Sequence, residues 1–152
     1  MLKKTFTLII FLLLSSCGYE TVHSKKNSDN YEFSINSLSF TGDRDINLKI
    51  KEKLNNYSLK RKNKIFDLKI LSVTEKKVLV KDTSGDPTSF EANVTIKVEV
   101  ILNNNIKNSL LLLERFNYNN SANKFSLKSY EKEIKNNLAE SATDKLIFKL
   151  SN

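Results

Sequence analysis

From Phe90 to Val100 apolar and polar residues alternate without a break. Phe90, Ala92, Val94, Ile96, Val98 and Val100 are interleaved with Glu91, Asn93, Thr95, Lys97 and Glu99. Successive side chains of a strand point to opposite faces, so this run is a strand with one buried face and one polar face. It demands an apolar layer on one side only. Phe66, Leu68 and Ile70, alternating with Asp67 and Lys69, repeat the pattern upstream. The segment Lys81-Asp82-Thr83-Ser84-Gly85-Asp86-Pro87-Thr88 lies between the two runs. Its Gly, Asp, Ser and Pro make it the turn of an antiparallel pair.

The remaining elements fall around that pair. Tyr31 to Phe40 reads as a first strand. Thr41-Gly42-Asp43 supplies a turn and a helix N-cap, and Asp43 and Asp45 suit the positive end of a helix dipole. Ile46, Ile50, Leu54 and Tyr57 recur at helical spacing, which predicts an amphipathic helix over Arg44 to Asn56. The basic cluster Lys60-Arg61-Lys62-Asn63-Lys64 closes that unit. Asn103-Asn104-Asn105 is a second turn, and Ser109 to Asn119 is a fourth strand. A last helix has Ser126 or Ser129 as cap, with Glu131 and Glu133 in its first turn. Its stripe is Ile134, Leu138, Ala142, Leu146 and Leu150. The order is β-α-β-β-β-α. The expected fold is an α+β two-layer sandwich: a four-stranded, mostly antiparallel sheet with two helices on one face.

Residues 1–16 do not belong to this domain. Lys3 and Lys4, the apolar run Phe6 to Leu14 and the small residues Ser15-Ser16 form a secretory leader. The run is too short for a membrane-spanning helix, which needs roughly 20 residues. Leu14-Ser15-Ser16-Cys17 resembles a bacterial lipobox, which implies cleavage before Cys17 and lipidation of its sulfur. Each acyl methylene buried in a bilayer contributes about 0.8 kcal/mol, so several chains anchor a protein firmly. The alternative is an ordinary leader with a chance cysteine, or a buried free thiol. Gly18 after the cysteine, by analogy with lipoprotein sorting, points to the outer membrane. Residues 17–30, polar and containing His23, read as a lipidated start and flexible spacer. Residues 31–152 remain for a single domain, which at this size buries about two-thirds of its unfolded surface.

Cys17 is the chain's single cysteine, so no internal disulfide and no C-x-x-C metal pair exists. The formal charge is +8, and Lys3 and Lys4 account for two of it, leaving +6 after the leader. A basic chain suits nucleic acid or anionic lipid. Export makes nucleic acid the wrong partner and leaves anionic lipid, including lipopolysaccharide phosphates. The joint richness in Lys, Asn and Ile is equally what an A+T-rich genome produces.

Catalytic patterns are missing. Asp82-x-Ser84-Gly85-Asp86 faintly resembles a calcium loop, but proline stands sixth, where such a loop needs glycine, and Asn93 stands twelfth, where it needs glutamate. No nucleophile elbow, zinc-binding helix motif or phosphate-binding glycine loop is present. With one histidine and no clustered carboxylates, no nucleophile–base pair can be assembled. The expectation is a non-enzyme without cofactor or metal. The run Leu110-Leu111-Leu112-Leu113 is more telling. If Leu110 and Leu112 share the core face with Phe116 and Tyr118, Leu111 and Leu113 emerge on the other. That makes Leu111 and Leu113 candidate partner-docking residues, against local burial or tolerated exposure of single leucines.

The chain as a whole resembles the lipopolysaccharide-assembly lipoprotein (LptE) family. The likeness rests on the lipobox with Cys17-Gly18-Tyr19, on Lys81 to Gly85 with Phe90 to Val100, on Arg115-Phe116-Asn117-Tyr118, and on the ending Ala139 to Leu150. It spans about 130 residues and lies in the joint order of loose motifs. The resemblance implies an outer-membrane lipoprotein on the periplasmic side. Such a protein plugs and helps assemble the β-barrel lipopolysaccharide translocon (an LptD-like partner), and it binds lipopolysaccharide. Basic side chains would meet lipid A phosphates through charge-assisted hydrogen bonds. By charge and position the candidates are Lys76, Lys77 and Lys81 near the hairpin, and Lys124 and Lys128 before the last helix. The competing expectation is a structural lipoprotein of another envelope machine, such as the barrel-insertion complex, without a lipid ligand.

Overall fold

The computed structural model describes residues 31–58, 62–103 and 105–152. Cys17, His23, the leader 1–16 and the spacer 17–30 lie outside the described residues, as do Lys60 and Arg61. The elements are β1 (Phe33–Gly42), α1 (Arg44–Leu54) followed by a 3-10 turn (Asn55–Tyr57), β2 (Lys64–Lys81), β3 (Pro87–Leu102), β4 (Asn105–Asn119) and α2 (Lys124–Ser151). They form the expected α+β fold in the order β-α-β-β-β-α. The strands lie in the order β1-β2-β3-β4. β1 runs parallel to β2 through the α1 crossover, and the other neighbours are antiparallel.

The alternation of β3 decides which face is the core. Val94 and Val98 are fully buried, and Phe90, Ala92, Ile96 and Val100 are nearly so. Register carries the same parity into β2, where Leu68 faces Val100 and Ile70 faces Val98. Both helices pack on this side. Ile46, Ile50 and Leu54 of α1 are fully buried, and so are Ala142 and Leu146 in the α2 stripe. Each buried Leu or Ile contributes about 1.5–3 kcal/mol relative to exposure. Tyr57 stacks on Phe33, ring centroids 5.2 Å apart.

Asp43 caps α1 as its sequence suggests. Its Oδ1 accepts from the backbone N–H of Asp45 (3.0 Å) and Ile46 (3.2 Å), and its Oδ2 accepts from Thr74 Oγ1 at 2.7 Å. Gly42 enters the cap with φ +92°, and a Cβ there would lie 1.9 Å from Ser72 O. That close approach lets Asp43 N–H donate to the same oxygen at 3.1 Å.

Several local expectations are corrected. α1 ends at Leu54 and tightens into the 3-10 turn rather than running to Asn56. α2 begins earlier than Ser126 or Ser129 would set it. Its cap is Asn123, whose side chain accepts from Ser126 N–H at 3.0 Å, so Glu131 and Glu133 fall beyond the first turn. β4 starts at Asn105, not Ser109. Phe116 has core parity but is half exposed, although Leu112 and Tyr118 on the same face of β4 are buried.

Candidate functional site

Since both helices occupy one face, the opposite face of the sheet is bare among the described residues. Two rungs across it are largely apolar. Leu71, Lys97 and Leu111 are aligned on β2, β3 and β4, and Val73, Thr95 and Leu113 form the next rung. Leu111 is 63% exposed, Leu113 46%, Val73 41% and Leu71 37%. Leu112, between the two β4 leucines, is buried at 4%. Charged rungs frame the patch. On one side Lys69 Nζ lies 3.7 Å from Glu99 Oε2. On the other, Glu75, Asn93 and Arg115 are aligned, and Lys77 Nζ lies 3.7 Å from Glu75 Oε2. Lys97 and Thr95 on β3 separate the pair Leu71/Val73 from the pair Leu111/Leu113. Exposed apolar residues standing singly need no explanation, but four on one face with a charged rim have the form of an interaction surface.

The hairpin lysines do not form one cluster. Lys76 has core parity and Lys77 points to the bare face. Lys76 Nζ lies 2.6 Å from Glu131 Oε1 and 3.7 Å above the Phe90 ring. Tyr118 OH donates to the same Glu131 oxygen at 2.8 Å. Burial works against ionisation of Glu131, but Lys76 and Tyr118 outweigh it and hold its carboxyl below the usual glutamate range. Burial, joined by the Glu131 hydrogen bond and charge, pushes the Tyr118 hydroxyl well above its ordinary value. Lys81 ends β2 in solvent. Lys124 and Lys128 lie one turn apart at the start of α2, both exposed, with Lys124 Nζ 3.2 Å from Asn120 Oδ1. Beside them a shallow cleft of about 570 Å³ is lined by Asn117, Tyr118, Asn119, Ser126, Leu127 and Tyr130. Phe125 next to it is 85% exposed.

Sequence reasoning missed two features here. One is the Lys76–Glu131–Tyr118 group, whose members come from three different elements, β2, α2 and β4. The other is Val78, Leu79 and Val80, all about half exposed near the hairpin tip. A signal for the second existed: three consecutive apolar residues break the alternation of β2, and the register shifts between Val78 and Val80.

The Asp82 loop is a turn whose carboxylate is already engaged. Asp82 Oδ1 accepts from Ser84 N–H and Asp86 N–H, both at 2.9 Å. Among the described residues no group of three or more His, Cys, Asp or Glu side chains could hold a metal ion. No helix among them is long and apolar enough to cross a membrane. What the bare face offers chemically is apolar area framed by charge.

The same architecture recurs in solved bacterial lipoproteins. The rare lipoprotein B from Shewanella oneidensis is similar at 17% identity and TM-score 0.54, over 75% of this chain and 96% of that one. A minor lipoprotein from Acinetobacter baumannii is similar at 16% identity and TM-score 0.60, over 80% and 91%. A lipoprotein B from Nitrosomonas europaea is similar at 11% identity and TM-score 0.54, over 88% and 90%. At these identities the likeness is one of fold. No family model matches the chain, and no curated protein matches it.

Proposed function

We propose that this protein is a lipoprotein of the outer membrane, anchored through Cys17 on the periplasmic side. There it plugs and helps assemble the β-barrel lipopolysaccharide translocon and binds lipopolysaccharide during its delivery. Its work is binding rather than catalysis. The observation that carries this reading is the bare sheet face, where Leu71, Val73, Leu111 and Leu113 stand exposed between charged rungs. The leader ending in Cys17 and the fold shared with solved lipoproteins support it further. The polar interior of an outer-membrane barrel would suit the charged rungs of this face. Lys81 and Lys128 stand exposed for anionic headgroups, and the exposed Lys77 and Lys124 hold only surface contacts to Glu75 and Asn120. Lys76 is engaged with Glu131, its ammonium also in contact with the Phe90 ring.

Affinity purification of the lipidated full-length protein tests the proposal. It should bring down one large barrel protein together with lipopolysaccharide. A set of other lipoproteins without lipid would instead favour the barrel-insertion reading. Alanine variants at Lys77 and Lys81, and separately at Lys124 and Lys128, should weaken lipopolysaccharide retention without changing barrel recovery. Unchanged retention in both would remove the lysines from the lipid site.

A further inference from the structure

We propose that the outer edge of β4 takes up the β4 strand of a second copy of this chain, antiparallel, with Leu112 facing Leu112 across a twofold axis. Among the described residues β4 ends the sheet, so one side of its backbone has no neighbouring strand there. Proteins usually blunt such edges with lysine, proline, a bulge or a covering element. The stretch Ser109-Leu110-Leu111-Leu112-Leu113 has none of the first three. It carries no charge and no proline, and its pairing with β3 is regular throughout. The bulge of this strand pair lies outside it, where Val100 gives way to Ile101. The next residue, Glu114, is turned to the helix side and held there by Lys145 and Ser141. Apolar side chains border the edge above and below. Leu111 and Leu113 stand on the bare face, and the half-exposed Phe116 stands on the helix face.

Register and charge select a second copy as the occupant. With Leu112 at the axis, Leu111 lies opposite Leu113 of the second copy, and the pair occurs twice. The rungs then run through both sheets, from Leu71 and Lys97 to an apolar junction of Leu111 with the second copy's Leu113, and on to its Thr95 and Val73. Arg115 falls opposite Ser109 of the second copy, and Glu99 lies beyond that serine on the same rung. Two strand spacings are roughly 9.6 Å. Over a side chain as small as serine, an arginine and a glutamate reach each other across that gap. Sliding by two residues one way sets Arg115 against Leu111, and the other way brings it towards Lys107. A slip of one residue sends the leucines to opposite faces. This register alone aligns leucine with leucine and Arg115 with an acid.

Cysteine pairing reads the register directly. Leu111→Cys and Leu113→Cys are made separately in the full chain, each with Cys17→Ala so that the introduced thiol stands alone. Opposed residues have Cα atoms about 4.5–5.5 Å apart, within disulfide reach. A Leu111–Leu111 or Leu113–Leu113 pair is diagonal, at about 7–8 Å, and out of reach. The mixture should therefore give several-fold more covalent dimer on oxidation than either variant alone. Sedimentation of the Cys17→Ala chain should show a concentration-dependent dimer. Arg115→Glu should weaken it about tenfold, since the pair with Glu99 occurs twice, and adding Glu99→Arg should restore it. A monomer at every concentration, or equal cross-linking of Leu111→Cys with itself, overturns the proposal. Neither result bears on the barrel reading, which needs a single copy.

Discussion

Lys76 and Glu131 are 55 residues apart in sequence, yet Lys76 Nζ lies 2.6 Å from Glu131 Oε1. The pair ties the hairpin strand β2 to the early turns of α2. Phe90 lies beneath the ammonium and Tyr118 OH donates to the same carboxylate oxygen. Because the folded carboxyl is more acidic than the ordinary value of 4.5, the contribution is full above that pH and is lost as pH falls through the folded value. The side chains of Lys76 and Glu131 are 40% and 22% exposed, so solvent screening keeps the effect modest. Glu131→Gln should cost about 1 kcal/mol at neutral pH. It should also flatten the drop in melting temperature on acidification below pH 4.5 relative to wild type. Equal acid sensitivity in the two proteins would contradict this role.

The cap of α1 gives a second acid-sensitive contribution by a different route. Burial disfavours the Asp43 charge, but hydrogen bonds from Thr74, Ile46 N–H and Asp45 N–H prevail and lower its carboxyl below 3.8. Stability from this cap is present above that value and disappears as pH falls below it. Asp43→Ala should cost about 1–2 kcal/mol in urea unfolding at pH 7. Asp43→Asn, which keeps an acceptor for the two N–H groups, should lose clearly less.

The two described glycines with positive φ should respond very differently to alanine. At Gly42 a Cβ would meet Ser72 O at 1.9 Å, whereas at Gly85 nothing lies within 4 Å. Gly85→Ala meets only backbone strain, about 1–2 kcal/mol. Gly42→Ala adds a clash with the backbone of β2, so it should cost about 3 kcal/mol or more and lower expression. Comparable melting temperatures for the two variants would refute the close approach.

What could be read in the sequence follows from the range of the signal. The β3 alternation, the Asp43 cap and the Ile134-to-Leu150 stripe are local patterns, and each lies where its period puts it. The start of α2 was obscured because Asn123, Ser126 and Ser129 are all competent caps, and the choice depends on where the chain leaves β4. Phe116 shows the limit of parity. Its register assigns a face, but what covers each position of that face decides burial: Leu112 and Tyr118 are covered and Phe116 is half exposed. The Lys76–Glu131 contact has no local signature at all, so nothing in the sequence separates Lys76 from Lys77. For Leu111 and Leu113, by contrast, period alone suffices to give the face, and both stand exposed on it.

Consecutive leucines of β4 should therefore part company in unfolding experiments. Leu112 is 4% exposed and faces the helices, and Leu112→Ala should cost about 2–4 kcal/mol through lost contacts and a residual cavity. Leu111 and Leu113 face solvent, so Leu111→Ser and Leu113→Ser should each change stability by less than about 0.5 kcal/mol. Binding should follow the opposite order. If the bare face is the docking surface, the doubly substituted Leu111→Ser/Leu113→Ser protein keeps its melting temperature and loses its partner on affinity purification. Full partner recovery by that stable variant would exclude these two side chains from the interface. A large loss of stability would show instead that the leucines are structural.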